Sequence, residues 1–383
     1  MTTTKRQLLN YPRRMLGLSV IELMIAMVLG LTLAAGVIQI YVGNSVTDRS
    51  QEARSRIQEN GRFGLNFLSQ EIHMASYLGC HGGIDPKSVN VTLDSPPASF
   101  QPEQGIQGWD YNGTDPGEIA NSVKNAAVVA TGGGAWVTSG GNVLPSLNAM
   151  PRSDILRVWS ATGDTGTINS ITPGAETVVN ISPIDVDAGD VLLLSDCEQA
   201  DWIQACEIDE VGGGVSLDIT LSDACSPGNL AAASITSKAG GEVIKLESSL
   251  LYVGKRSNTA TNPPALFRAR LGANAQPGTP EELMEGVEAM QILYGINADN
   301  DTRNTADAFV PADQVPDWAD VVSVRISLLM QSVEDGVVPA AQAYTFNGVT
   351  YNGVGANGSL PGDNRVRRVF TSTISLRNRT LGI

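Results

Sequence analysis

Histidine is almost absent from this chain: His73 and His81 are the two in 383 residues. Aromatic residues make up 5%, and the four cysteines include no CxxC pair. A zinc site needs ligands clustered at short spacing, and none is visible. A Ser-His-Asp triad would have to draw on one of two histidines at a helix and its end, and no GxSxG elbow accompanies them. There is no Walker loop. Gly353, Gly355 and Gly358 satisfy GxGxxG, but within the turn-rich YNGVGANGSLPGDN and with no helix after it to receive a pyrophosphate. Positive charge is also short, 25 Lys and Arg against 40 Asp and Glu, which gives a net −15 and argues against binding to nucleic-acid phosphate or anionic lipid. Asn297, Asp299 and Asp301 alternate as calcium-loop ligands do. Thr302 and Arg303 then fall where such a loop needs Gly and a ligand, and no terminal Glu follows, so a solvated acidic turn is the better account. We expect no enzyme, no cofactor and no metal.

What the chain does have is an apolar run of 25 residues, Leu18 to Val42, whose only charge is Glu22. As a helix it is about 37 Å long, enough for a bilayer core of roughly 30 Å. A carboxylate inside such a run costs on the order of 2.5–3.5 kcal/mol at the bilayer centre and calls for a partner. Cleavage between Gly17 and Leu18 supplies one, since the new α-amine of Leu18 lies one helical turn from Glu22. A conventional secretory signal has its small residues after the apolar core and loses that core on cleavage. Here Gly17 lies before the core, so the helix stays. Lys5, Arg6, Arg13 and Arg14 precede it without an acidic residue, which sets the N-terminus in the cytoplasm and everything after about Val42 in the periplasm.

A short basic leader, a Gly, and an apolar helix with Glu at its fifth position resemble a type IV prepilin. The resemblance implies removal of residues 1–17 by a prepilin peptidase and N-methylation of Leu18. It also implies a helix that packs in a filament core, with Glu22 as the partner of a neighbouring subunit's N-terminal amine.

The helical pattern continues past the bilayer. From Thr47 to about Tyr77 there is no proline, and Ile57, Gly61, Gly64, Leu65, Leu68, Ile72 and Ala75 recur at spacings of three and four. Charged residues from Asp48 to Arg62 fill the remainder. This predicts a membrane or filament-core half over 18–42 and a periplasmic half over 43–80, whose narrow stripe packs on a sheet and which ends on a glycine cap near Gly79-Cys80 and Gly82-Gly83. Cys80, Cys197, Cys206 and Cys225 all follow the span, and an even count in an oxidising compartment suggests two disulfides with three connectivities open. The pairing Cys80–Cys197 fixes helix to head, and Cys206–Cys225 closes a local loop.

The head, 81–383, reads as β-rich. A turn-rich insertion at about 82–151 lies over the sheet with a few strands. Strand signals follow at Asp154–Ala161, Asp190–Ser195, Val215–Leu221, Glu242–Lys255, Ala265–Arg270, Gln291–Ile296, Asp320–Gln331 and Val366–Leu376. Glu281–Glu288, after Pro280, is the best candidate for a short helix. The expected fold class is α+β, pilin-like: a long N-terminal α-helix packed on a large antiparallel β-rich head.

The segments NFLSQEIHMASYLGC, VLLLSDCEQADW, ELMEGVEAMQILYGI, DVVSVRISLLMQS and RRVFTSTISLRNR are similar to PilW-like minor pilins. That resemblance implies a minor pilin in low copy that helps prime a type IV pilus, at or near its tip, and so serves twitching motility and cell adhesion. Its partners would be the prepilin peptidase, the major pilin and other minor pilins, a tip adhesin and the inner membrane, with no nucleic acid. Two alternatives stay open: a minor pseudopilin of type II secretion, which shares the leader, and a membrane-anchored adhesin whose 82–151 loops grip a ligand.

Overall fold

Two residues begin the long helix. The Ser19 Oγ accepts a hydrogen bond from the Ile21 amide at 3.3 Å, and the Glu22 carboxylate accepts one from the Ser19 amide at 2.9 Å. This reciprocal S-x-x-E capping box satisfies amides that a helix start leaves without partners. The computed structural model describes residues 19–79, 88–97, 100–118, 128–131, 134–141, 144–230, 233–257, 262–298, 305–352 and 362–380. Within it α1 runs from Val20 to Met74, 55 residues with no proline to interrupt the hydrogen-bond ladder. The chain divides into two units, Met1–Gln51 and Glu52–Ile383, which are taken separately.

The helix stops five residues before the expected glycine cap. The Asn378 side-chain amide donates to the carbonyls of His73 at 3.3 Å and Ala75 at 2.9 Å. Ala75 forms a β-bridge with Ser160, and Ser76 turns into the left-handed region at φ 61°. A tertiary cap from the far end of the chain thus ends α1 before the local glycines do. Cys80 and Gly82-Gly83 lie outside the described residues.

In the insertion, β1 (Asn90–Val91), β2 (Ile106–Tyr111), β3 (Val129–Ala130), β4 (Trp136–Val137) and β5 (Asn148–Ala149) are short, as a turn-rich composition predicts. Then come β6 (Ile155–Thr172), β7 (Thr177–Ile181), β8 (Val191–Ser195), β9 (Ala200–Gln204), β10 (Glu207–Val211), β11 (Ser216–Leu221), β12 (Glu242–Gly254) and β13 (Ala265–Leu271). The rest of the head is β14 (Glu281–Glu285), β15 (Val287–Ile296), β16 (Ala308–Val310), β17 (Val321–Gln331), β18 (Tyr344–Phe346), β19 (Val349–Tyr351), β20 (Arg367–Ser375) and a last turn, α2 (Arg377–Thr380).

Among the described residues, twelve strands form one sheet along β1-β9-β8-β12-β6-β7-β11-β10, with β13 and β14 branching from β12 and β2 and β4 from β6. Pairing is antiparallel apart from β1 on β9. The length of β6 and β12 makes the branching possible: the first half of β12 pairs with β8 and its second half with β13, while β6 lines the other edge. A second sheet has the order β16-β15-β17-β20. In β17, Val324, Ile326 and Leu328 are buried while Arg325 and Ser327 between them are half-buried, the alternation that a one-faced strand requires.

The segment Glu281–Glu288 is not a helix. It forms β14 and the start of β15, broken at Gly286, whose φ is 84°. Glu281 and Glu282 stand opposite Arg268 and Phe267 of β13, and Glu281 accepts a 2.7 Å hydrogen bond from Arg268. Cross-strand charge pairing thus overrides the helical propensity of EELME.

The main core joins the second half of α1 to both sheets through Leu68, Ile72, Val158, Leu251, Met290, Ile326 and Leu328. Each fully buried Leu or Ile contributes about 1.5–3 kcal/mol of transfer free energy. The insertion covers the opposite face of the large sheet, where Trp136, Leu144 and Leu147 meet Leu250, Tyr252 and Phe267. The Trp136 Nε1 donates to the Ser153 carbonyl at 2.8 Å.

Candidate functional site

In the first unit, the apolar half of α1 is exposed on every side, with Val20 76%, Leu31 71% and Tyr41 74% accessible. It is the one helix among the described residues long and apolar enough to cross a membrane. Two threonine hydroxyls bond within the helix: Thr32 Oγ1 donates to the Leu29 carbonyl and Thr47 Oγ1 to the Gly43 carbonyl, each at 2.9 Å. That matches a helix whose surroundings offer few hydrogen bonds. A Cβ built on Gly30, Gly36 or Gly43 would meet nothing within 4 Å.

Glu22, expected to pair with an α-amine, here caps its own helix through Ser19. The motif Ser19-Val-Ile-Glu22 is itself the sequence signal for that role, and reasoning from charge alone passed over it. A capped carboxylate is also held at the helix N-terminus, where the backbone dipole favours negative charge. Gly17 and Leu18, the expected cleavage and methylation positions, lie outside the described residues.

In the second unit, the buried stripe of α1 is Ile57, Gly61, Gly64, Leu68 and Ile72. The two glycines set how closely the helix approaches the sheet. A Cβ on Gly61 would stand 2.5 Å from the Phe370 ring, and one on Gly64 would stand 2.3 Å from Met284 Cε and 3.4 Å from Leu328. His73 is in hydrogen-bond contact with the Ser375 carbonyl at 2.9 Å through Nδ1, which ties the end of α1 to β20. Arg268 stands 3.8 Å from Glu71, whose carboxyl is raised by burial, partly offset by that arginine. Behind the stripe, Arg367 donates to Glu288 and Asp363 at 2.6 Å each, all three side chains nearly dry.

The disulfide Cys206–Cys225 is formed as expected. Cys197 is disulfide-bonded as well. Its expected partner Cys80 lies outside the described residues. So do Asp299 and Asp301 of the calcium-like run and Gly353, Gly355 and Gly358 of the GxGxxG. Asn297 is described and buried, with its amide donating to the Asp320 carbonyl at 3.0 Å.

A group of carboxylates that no local motif announced gathers at the end of β2. Asp110 is buried, and burial is the main cause that pushes its carboxyl up to about 7; a hydrogen bond with Asp154 opposes this, and Asp115, Asp313 and Glu118 add to it. Asp154 is fully buried and raised well above the carboxylate range by burial and by Asp110. It accepts hydrogen bonds from the Ile292 amide at 2.7 Å, the Tyr111 amide at 3.3 Å and the Gln291 side chain at 3.3 Å. One carboxylate thereby ties β2, β6 and β15 together.

One long N-terminal helix, apolar and exposed over its first half and packed on an antiparallel β-rich head over its second, is a pilin-like α+β architecture. Residues 251–378 match the family model PilW, type IV Pilus-assembly protein W, so this part of the head is similar to that family. The matched region holds Met284, Leu328, Phe370, Ser375 and Asn378, the residues that receive and cap α1. No match to the chain is found among curated proteins.

Proposed function

We propose that the chain is a minor pilin, built into a type IV pilus in low copy and helping to prime its assembly at or near the tip. The observation that carries this reading is the exposed apolar half of α1, with Glu22 as its only charge, in a chain whose head is PilW-like. In the inner membrane that half spans the lipid, N-terminus in the cytoplasm and head in the periplasm. On assembly it exchanges lipid for the helices of the major pilin and other minor pilins. The bulk of the head argues for few copies, because a head spanning 81–383 crowds a lattice if repeated at every position. A subunit used once or a few times fits where assembly begins, with lattice neighbours on one side only. The reading assigns no catalysis to the chain. A prepilin peptidase acts on it, and a tip adhesin is a further partner.

The test is deletion and labelling. Loss of the chain sharply lowers surface piliation, and blocking retraction partly restores it, since a priming defect slows initiation while the major subunit remains. Immunogold label concentrates at one filament end. Uniform label along the shaft at the stoichiometry of the major pilin rejects the priming role.

A further inference from the structure

We propose that the free edge of β20 is a docking site for an extended acidic segment of a partner protein, which adds to the second sheet as a further strand. β20 ends that sheet, paired with β17 and with no other strand among the described residues. Which of its backbone groups point outward follows from the bonds at its two ends. The Val366 carbonyl accepts from the Ser332 amide, and the Leu376 amide donates to the Val322 carbonyl, each at 2.9 Å. In an antiparallel pair such bonds fall on every second residue, so Arg368, Phe370, Ser372 and Ile374 also face β17. The amides and carbonyls of Val369, Thr371 and Thr373 therefore point away from the sheet, and among the described residues nothing bonds them. Ser375, next in that series, gives its carbonyl to His73 of α1. A partner strand laid along the edge would bond those three residues through its own main chain.

The other strands that end a described sheet are guarded. β1, β3, β4, β5, β16, β18 and β19 are two or three residues long. β10 carries Glu207, Asp209 and Glu210, all exposed, and β14 carries Glu281, Glu282 and Glu285. Short strands and edge charges are the ordinary devices against unwanted pairing. β20 has neither: it is nine residues long, and from Val369 to Ser375 it runs without a charge, a proline or a shift of register. Thr371, Thr373 and Ser375 are exposed along it. The flanks of the strand set the partner's charge. From Asn364 to Thr380 there are five arginines and no acidic residue, in a chain of net charge −15. Two of the five are turned inward, Arg365 to the Ser332 and Val333 carbonyls and Arg367 to Glu288 and Asp363. Arg368 is exposed, its guanidinium over the Phe370 ring at 5.4 Å and in no ion pair among the described residues. Arg377, past the other end, is exposed too. A strand on this edge meets a cation at each end, and carboxylates at its own ends complement both.

The experiment uses the full chain in detergent and a fluorescein-labelled peptide as long as β20, alternating valine and threonine between glutamates at both ends, with binding read by fluorescence anisotropy. Wild type binds this peptide, and binds one ending in lysines about tenfold more weakly. Thr371→Pro removes an outward amide and leaves the bonds to β17 in place, as prolines on edge strands do. It keeps the thermal midpoint of wild type and loses binding. Arg368→Glu binds the glutamate-ended peptide about tenfold more weakly than wild type does and the lysine-ended one more tightly. The proposal is overturned if wild type fails to bind the glutamate-ended peptide, if Thr371→Pro with an unchanged midpoint binds as wild type does, or if Arg368→Glu leaves both affinities as they were. Should the proline variant unfold, the Arg368→Glu comparison decides alone. Sedimentation of the chain without peptide gives one chain per micelle; a dimer that Thr371→Pro dissolves makes a second copy the occupant and also overturns the proposal.

Discussion

The two halves of α1 share a backbone and a residue-by-residue ladder of hydrogen bonds, yet they are written for different surroundings. From Val20 to Tyr41 nearly every position is apolar and exposed; from Glu52 to Met74 Leu68 and Ile72 are fully buried, while Glu52, Arg56, Glu59 and Arg62 face water. A helix apolar all round needs lipid or other helices, and one with a narrow stripe needs a single sheet. The difference teaches that the helix is two interaction surfaces placed in series. Its second surface is buried within the second unit, whereas the first is exposed among the described residues.

The same substitution made in each half tests this. Gly61→Val drives a side chain into the Phe370 ring and lowers head stability by about 1–3 kcal/mol, the usual cost of overpacking. Gly36→Val meets nothing and leaves head stability unchanged. Urea unfolding followed by tryptophan fluorescence reads this cleanly, because all five tryptophans, Trp109 to Trp318, lie in the head. Equal losses from both variants would erase the distinction between the halves.

A smaller effect sharpens it from the other side. Glu22→Gln removes the only charge of the exposed half while leaving a side chain that still accepts a hydrogen bond from the Ser19 amide. Membrane insertion stays normal, since a charge has been taken out of lipid. Incorporation into sheared filaments falls about tenfold, a loss of about 1.4 kcal/mol in the filament core. Wild-type incorporation would leave Glu22 with helix capping alone.

How much of this was legible in the sequence follows the range of the forces involved. The stripe Ile57, Gly61, Gly64, Leu68, Ile72 could be read directly, because a helix face is a local pattern. So could β8, β12, β17 and β20, because apolar or alternating runs bounded by turn residues are also local patterns. Glu281–Glu288 misled because its partners, Arg268 and Arg256, come from β13 and the turn before it, and they favour a strand that the local propensity does not. The helix end was misplaced for a similar reason: Asn378, three hundred residues away, caps it before Gly79 can. The carboxylate group at Asp110 was invisible, since Asp110, Asp154 and Asp313 become neighbours only through the pairing of β2 with β6 and the seat of β15 beside them. Against that, the Ser19–Glu22 capping box was in plain view as S-x-x-E.

The central claim, that the apolar half of α1 is the mature start of a pilin and not a permanent membrane anchor, is tested most directly by the intact mass of the protein extracted from membranes of cells with an active prepilin peptidase. The account predicts a chain that begins at Leu18 and carries one added methyl group. A chain that keeps Met1 to Gly17 in those cells contradicts it.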